Sequence, residues 1–325
     1  MGIVKKNIKN LRPEKFKKKS NLLNYLENRN KILIIRSVGG LGDILMHRMM
    51  FEDFKNLSQD LEVHFCCPSY YHDAIKDHPF IDKILDCQQV NKNDYVIHYN
   101  TSTVCGRTEM DNLPNKSPHR SDIWANYCGV ELKNHDMHIN LSDWEKNIAY
   151  DLLKSINKKS IKSVAICPIS AMVNKNLLPN QVCFLVDFLK KQNLFPFCLH
   201  HKIIDYCEKN RIPSIIEPRI RIWMAILQQV DYVISVDTAA FHCAGGLKKP
   251  LTGIFSFIDG KVYGKYFDFV LLQKHKEDDT NWTCGPCYDW CKCPKTSLSP
   301  KPCITDISEE MLTGAVNRML EKWPL

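Results

Sequence analysis

Apolar positions along this chain fall into two patterns. Short runs rich in β-branched residues have the length and composition of strands buried on both faces, and longer segments with apolar residues three and four apart have the helical period. Strands are predicted over Lys31–Arg36, Leu61–Cys66, Ile81–Leu85, Tyr95–Tyr99, Val164–Cys167, Phe195–Leu199, Ile212–Ile216, Tyr232–Val236 and Leu251–Phe257. Helical spacing runs from Ile44 through Leu57 and over Tyr70–Lys76, Trp124–Cys128, Asp143–Ile156, Gln181–Lys190, Ile220–Gln228, Ala239–Leu247 and Ser308–Lys322. Ser121 or Asp122 caps the helix through Trp124, and Gly129 ends it. The segment Asn100–Pro118 is polar and reads as a long loop of the kind that often carries function. Alternation of strand and helix predicts an α/β protein with parallel, Rossmann-like sheets.

Two elbows in this pattern carry candidate chemistry. After Tyr232–Val236 come Asp237 and Thr238, then a small-residue helix that Lys248, Lys249 and Pro250 terminate. A helix start at the carboxyl end of a parallel strand favours phosphate, although Asp237 and Thr238 are equally explained as caps. The other elbow, Ser37-Val38-Gly39-Gly40-Leu41-Gly42-Asp43, is a glycine-rich turn between the first strand and its helix. Asp43 there is either a first-turn acid complementing the helix dipole or a carboxylate able to accept a proton from a hydroxyl. Lys175, in the loop Pro168–Asn176, projects near the same edge as Asp237 and is either a diphosphate clamp or a solvated lysine. Arg107, His119 and Arg120 face an anionic substrate or are simply solvated. His200 and His201 alternate in direction on an extended chain, which argues against a shared metal.

Length changes the picture from one domain to two: 325 residues exceed what one core usually holds, and the lysines at 158, 159 and 162 mark the boundary. The net charge of +8 is concentrated in a basic leader, residues 1–30, read as a solvated segment or as a patch for anionic lipid head groups. No secretory signal and no membrane span is visible, so a cytoplasmic protein is expected, with peripheral contact at the inner face of the membrane as an option. Nucleic acid is not an expected partner. Most of the fifteen cysteines sit inside apolar runs, as buried thiols in a reducing compartment do. Cys284, Cys287, Cys291, Cys293 and Cys303 form a late cluster from which four thiolates at metal-ligand spacing would suit structural zinc or a single iron; unligated thiols or disulfides are the alternatives. The first turn is not G-x-G-x-x-G, which counts against a dehydrogenase.

With these residues in view, the chain from Lys31 onward resembles the ADP-heptose heptosyltransferases of glycosyltransferase family 9. The resemblance rests on Leu41-Gly42-Asp43, on Val236-Asp237-Thr238 with His242, Pro250 and Phe255, on Lys175, and on Cys284-Gly-Pro-Cys287 with Cys303-Ile-Thr-Asp-Ile307. It implies a GT-B architecture: an acceptor domain over 31–160, a nucleotide-sugar domain over 161–305, the two facing across a cleft, and a last helix, 306–325, crossing back to the first domain. It also implies inverting, metal-independent transfer of heptose from ADP-heptose to a hydroxyl of a lipid-linked lipopolysaccharide core or related surface glycan. Asp43 would be the general base. Lys175, Thr238 and the amides of Ala239 and Ala240 would hold the diphosphate, with His242, Asp237 and Gly42 on the donor side. This sequence departs from the family's pattern at Val38-Gly39-Gly40, at Ala239 in place of a frequent glycine, and at His200-His201-Lys202 where a donor-side acid is expected. The heavy cysteine tail is similar to the metal-binding finger of the autotransporter heptosyltransferases, which modify protein. The competing reading is a Rossmann-type nucleotide-binding protein without transferase activity, its cysteines serving as a metal or redox sensor.

Overall fold

The computed structural model describes residues 30–324, apart from positions 59, 96, 114, 275–283, 285, 290 and 291, so the basic leader and Cys291 lie outside the described residues. The chain divides into two compact units. One comprises the chain up to Asp111 together with Ser117–His138; the other comprises Asn112–Lys116 and Ile139 onward.

In the first unit, β1 (Lys31–Ile35), β2 (Glu62–Cys66), β3 (Lys83–Leu85) and β4 (Ile97–Asn100) form a sheet in the order β3-β2-β1-β4. Every pairing is parallel, and Ile34 lies opposite both Phe65 and Tyr99. A central strand covered on both faces needs apolar residues at successive positions, which is why Ile32 to Ile35 show no polar alternation. The helix expected from Ile44 to Leu57 is instead a helix over Leu41–His47, a 3-10 turn over Arg48–Met50 and a helix over Phe51–Lys55. The tight turn carries Arg48, whose fully buried guanidinium donates to the carbonyls of Ala74, Met137 and His138 and pairs with Asp77. That cage of partners, distant in sequence, interrupts a period the local pattern would continue.

The expected loop Asn100–Pro118 contains a helix, Val104–Asn112. Its composition is polar, so tertiary contact stabilises it: Glu109 is buried and bonded to Arg120. The next helix, Arg120–Tyr127, begins earlier than expected, and its cap is His119 rather than Ser121 or Asp122.

In the second unit, β5 (Ser163–Cys167), β6 (Phe195–His200), β7 (Ser214–Ile216), β8 (Tyr232–Val236), β9 (Leu251–Phe255) and β10 (Val270–Gln273) form a parallel sheet in the order β10-β9-β8-β5-β6-β7. β10 was not expected, being a run of only four residues with alternating burial. In both sheets the strand order reverses beside the first strand, between β1 and β4 and between β5 and β8. The carboxyl ends flanking such a reversal are where open α/β sheets bind ligands.

One boundary differs from expectation. Helix Asp143–Ile156 belongs to the second unit, not the first. Its Glu145 closes a capping box with Ser142 and also pairs with buried Arg221 of helix Ile220–Gln229. The boundary therefore lies near Ile139, ahead of the lysines at 158–162. In the last helix, Glu309–Lys322, Leu312, Ala315, Val316 and Met319 enter the second unit's core with Val164, Ile234 and Ile254. The Tyr232 hydroxyl donates to the carbonyl of Trp323 at 2.8 Å. Among the described residues, no helix is long and apolar enough to cross a membrane.

Met319 is fully buried in that core. Met319→Ala should lower the unfolding free energy by about 2–5 kcal/mol, read by urea denaturation. A loss below about 1 kcal/mol would contradict this placement of the helix.

Candidate active site

The first half-site gathers at the reversal between β1 and β4. Gly39, at φ 119°, takes the chain from β1 into helix Leu41–His47. A Cβ there would stand 2.5 Å from Arg36 Nη2 and from Asp43 Oδ2, so glycine makes room for the ion pair between them. Asp43 occupies the third helical position, and its Oδ2 accepts the Gly40 amide at 3.1 Å. Arg36 Nη2 is 2.9 Å from Oδ2, and Arg120 Nη1 is 2.8 Å from Oδ1. Arg120 also donates from Nε and Nη2 to the Glu109 carboxylate at 2.7 and 2.9 Å. Arg36 in turn donates to the carbonyls of Thr101 and Ser102, at the end of β4, and stacks over Trp124.

Burial alone would raise the Asp43 carboxyl. Arg120 and then Arg36 outweigh it, hydrogen bonds from Arg120 and the Gly40 amide add to their effect, and the acid is held far below the ordinary carboxylate range. His47 is lowered as well: burial, then Arg36, takes the imidazole down to about 3. The ring is therefore neutral, with Nδ1–H donating to the Asp43 carbonyl at 2.7 Å and Nε2 lying 2.9 Å from the Thr101 hydroxyl oxygen, which is also 2.9 Å from the Ile35 carbonyl.

The acceptor-side candidates separate. Arg120 is in the network. Arg107 is exposed on helix Val104–Asn112. His119 is buried, and its Nδ1 accepts the Ser121 amide at 3.1 Å, a capping role. Gly42 lies beside Asp43 in the first unit, whereas the other donor-side candidates all lie in the second.

The second half-site gathers at the reversal between β5 and β8. Asp237 is not a helix cap: its carboxylate is 2.7 Å from Lys175 Nζ and 3.8 Å from His242 Nε2. Thr238 is the N-cap residue of helix Ala239–Gly246 by backbone position, but its side chain makes no cap hydrogen bond. Ala239 and Ala240 open the helix, where amides have no carbonyl of a preceding turn to bond. Lys175 ends the short turn Val173–Lys175 after β5, and its ammonium lies 5.6 Å from the centroid of the Phe257 ring. A mostly buried ammonium, balanced by one carboxylate beside open helix amides, can exchange that carboxylate for a phosphate.

The described cysteines are not joined to one another in disulfides. Burial, then Cys287 and Cys293, pushes the Cys303 thiol up to about 12. Among the described residues, however, no three His, Cys, Asp or Glu side chains are grouped so as to hold a metal ion. Cys291, one of the five cysteines expected as ligands, lies outside the described residues.

Sequence reasoning missed Arg36, Glu109 and His47. Arg36 closes an apolar strand, and an arginine at that position was the available signal. Glu109 lay in a segment whose polar composition concealed a helix.

The fold class is GT-B, two Rossmann-like units built on parallel sheets. Its structural neighbours are glycosyltransferases of family 9. A family 9 glycosyltransferase from Veillonella parvula is 13% identical at a TM-score of 0.67, over 90% of this chain and 98% of its own. The ADP-heptose lipopolysaccharide heptosyltransferase II of E. coli is 10% identical at a TM-score of 0.60, over 90% and 99%. The iron-containing dodecameric glycosyltransferase TibC of enterotoxigenic E. coli is 13% identical at 0.68, over 90% and 77%, and has also been solved with ADP-D-beta-D-heptose. No protein-family model matches the chain, and no curated protein matches it in sequence.

The lowered His47 pKa gives stability a sign with pH. Above pH 6.5 neither state is protonated; below it the unfolded imidazole takes a proton that the folded one refuses until about pH 3. Stability should therefore fall as pH drops through this window, and His47→Gln should flatten that fall in urea titrations at pH 7, 5.5 and 4.

Proposed function

We propose that this chain is an inverting glycosyltransferase that moves a sugar, heptose from ADP-heptose, onto a hydroxyl of a lipopolysaccharide core or related surface glycan. The observation that carries the reading is the pairing of Lys175 with Asp237 beside the open amides of helix Ala239–Gly246, at the strand reversal of the second sheet. The fold shared with glycosyltransferases, one of them solved with ADP-D-beta-D-heptose, supports the same class of donor.

As the bond from the sugar to the diphosphate breaks, negative charge grows on the leaving oxygen. Lys175, Thr238 and the Ala239 and Ala240 amides are preorganised to receive it, and His242 stands beside them through Asp237. Asp43 takes the acceptor's proton. It is ionised at any ordinary pH, but two guanidiniums hold both its oxygens and make it a weak base. Of the two, Arg120 is the more exposed, 21% against 5% for Arg36. Turnover requires Arg120 to yield its place on Asp43, and an anionic group on the acceptor is the partner that can draw it away.

The test is calorimetric binding of ADP, UDP and GDP to the purified protein, with turnover of the matching sugar donors. Asp43→Asn should retain nucleotide affinity and lose about a hundredfold or more in turnover. Lys175→Ala should weaken nucleotide binding by about tenfold. Turnover that is indifferent to Asp43 would remove it as the base, and absence of nucleotide binding would sink the transferase reading in favour of a sensor.

A further inference from the structure

The cysteine-rich segment touches the phosphate side of the second half-site through Asp289. The amides of Cys287 and Tyr288 donate to the Phe257 carbonyl at 3.1 and 3.3 Å, and the ring of that same Phe257 lies under the Lys175 ammonium. Tyr288 is 5% exposed. Tyr288 and Asp289 then turn through left-handed backbone, φ 51° and 62°, which aims the Asp289 carboxylate back at the loop after β5. There it accepts from Asn174 Nδ2 at 3.1 and 3.3 Å.

Asn174 immediately precedes Lys175 in the same short turn and is buried. Its Oδ1 has no hydrogen-bond partner among the described residues, so Asp289 is the anchor of its amide. Besides the Lys175–Asp237 ion pair, the backbone and side-chain hydrogen bonds of this loop among the described residues include several internal ones: Ser170 N to Asn176 Oδ1, Lys175 N to the Met172 carbonyl, and Leu177 N to the Pro168 carbonyl. Met172 and Val173 are exposed. The ion pair holds only the far end of the long Lys175 side chain, whereas Asn174 ties the backbone turn itself to the segment that also grips Phe257.

We propose that Asp289 is a positioning residue for the donor diphosphate. Through Asn174 it holds Lys175 at the start of helix Ala239–Gly246, and so links the cysteine-rich segment to nucleotide affinity. This rests on the reading of Lys175 as the cation that binds the donor phosphates. A lysine held in place gives up less freedom on binding than one on a loose loop, so the anchor acts on affinity without touching the ligand.

The experiment titrates ADP, UDP and GDP by calorimetry into the full chain and four variants, with melting temperature as the control for folding. Asp289→Gly tolerates the left-handed backbone and removes the carboxylate; Asn174→Ala removes the other partner. Each should weaken binding of the preferred nucleotide by about tenfold, and the double variant should be no weaker than either single by more than about twofold, because both remove one interaction. Asp289→Asn keeps an accepting oxygen and tolerates this backbone, and should stay within about threefold of the unaltered protein. Unchanged affinity in Asp289→Gly, or losses that simply add in the double variant, would overturn the proposal while leaving the transferase reading intact. No binding of any of the three nucleotides by the unaltered protein would overturn the transferase reading and the anchor's role with it.

Discussion

Parallel pairing is the constraint on which the rest of this structure depends. Every registered strand pair in both sheets is parallel, so within each unit all strands deliver their carboxyl ends to one edge. Polar residues that would be scattered in an antiparallel sheet are collected there. In the first unit the edge brings together Arg36 after β1 and Thr101 after β4; in the second it brings together Lys175 after β5 and Asp237 after β8. The apolar strands behind them exclude water from one side, which strengthens each ion pair and raises the cost of leaving any charge unpaired.

The two half-sites solve that cost differently. Asp43 is shared by two guanidiniums, one of which is itself shared with Glu109, so two cations and two anions are linked in one network. Asp237 has one close cation, Lys175, with His242 at a longer distance. The first arrangement stabilises an ionised carboxylate and restrains its basicity. The second leaves a cation with one close carboxylate among the described residues, beside helix amides of the kind that favour phosphate. The two carboxylates thus differ in the number of cations around each, a distinction that residue type alone does not make.

The cysteine segment changes meaning between its chemistry and its contacts. Its spacing suggests a metal site, and one of its five cysteines, Cys291, lies outside the described residues. What the segment does show is docking: backbone amides on Phe257 and a carboxylate on Asn174, both next to Lys175.

By itself the sequence determined the class and the order of elements. The apolar runs at β1, β5 and β8 are buried throughout or nearly so, because a strand covered on both faces must be apolar at every position. Asp43, Lys175, Asp237 and Thr238 were visible as polar residues punctuating those runs, since strand ends and helix starts are local features. Tertiary structure alone decided what depends on distant partners. Arg48 breaks a helix that local period would continue, and Glu109 stabilises a helix that composition would deny, each through bonds to residues far along the chain. The helices Asp143–Ile156 and Glu309–Lys322 were legible as helices but not as members of the second unit, because an amphipathic face states that it must be covered and not by what. Asp43 was legible as an acid at a helix start, but its two arginines were not, because ion pairs form between groups that folding, rather than sequence proximity, brings within about 3 Å.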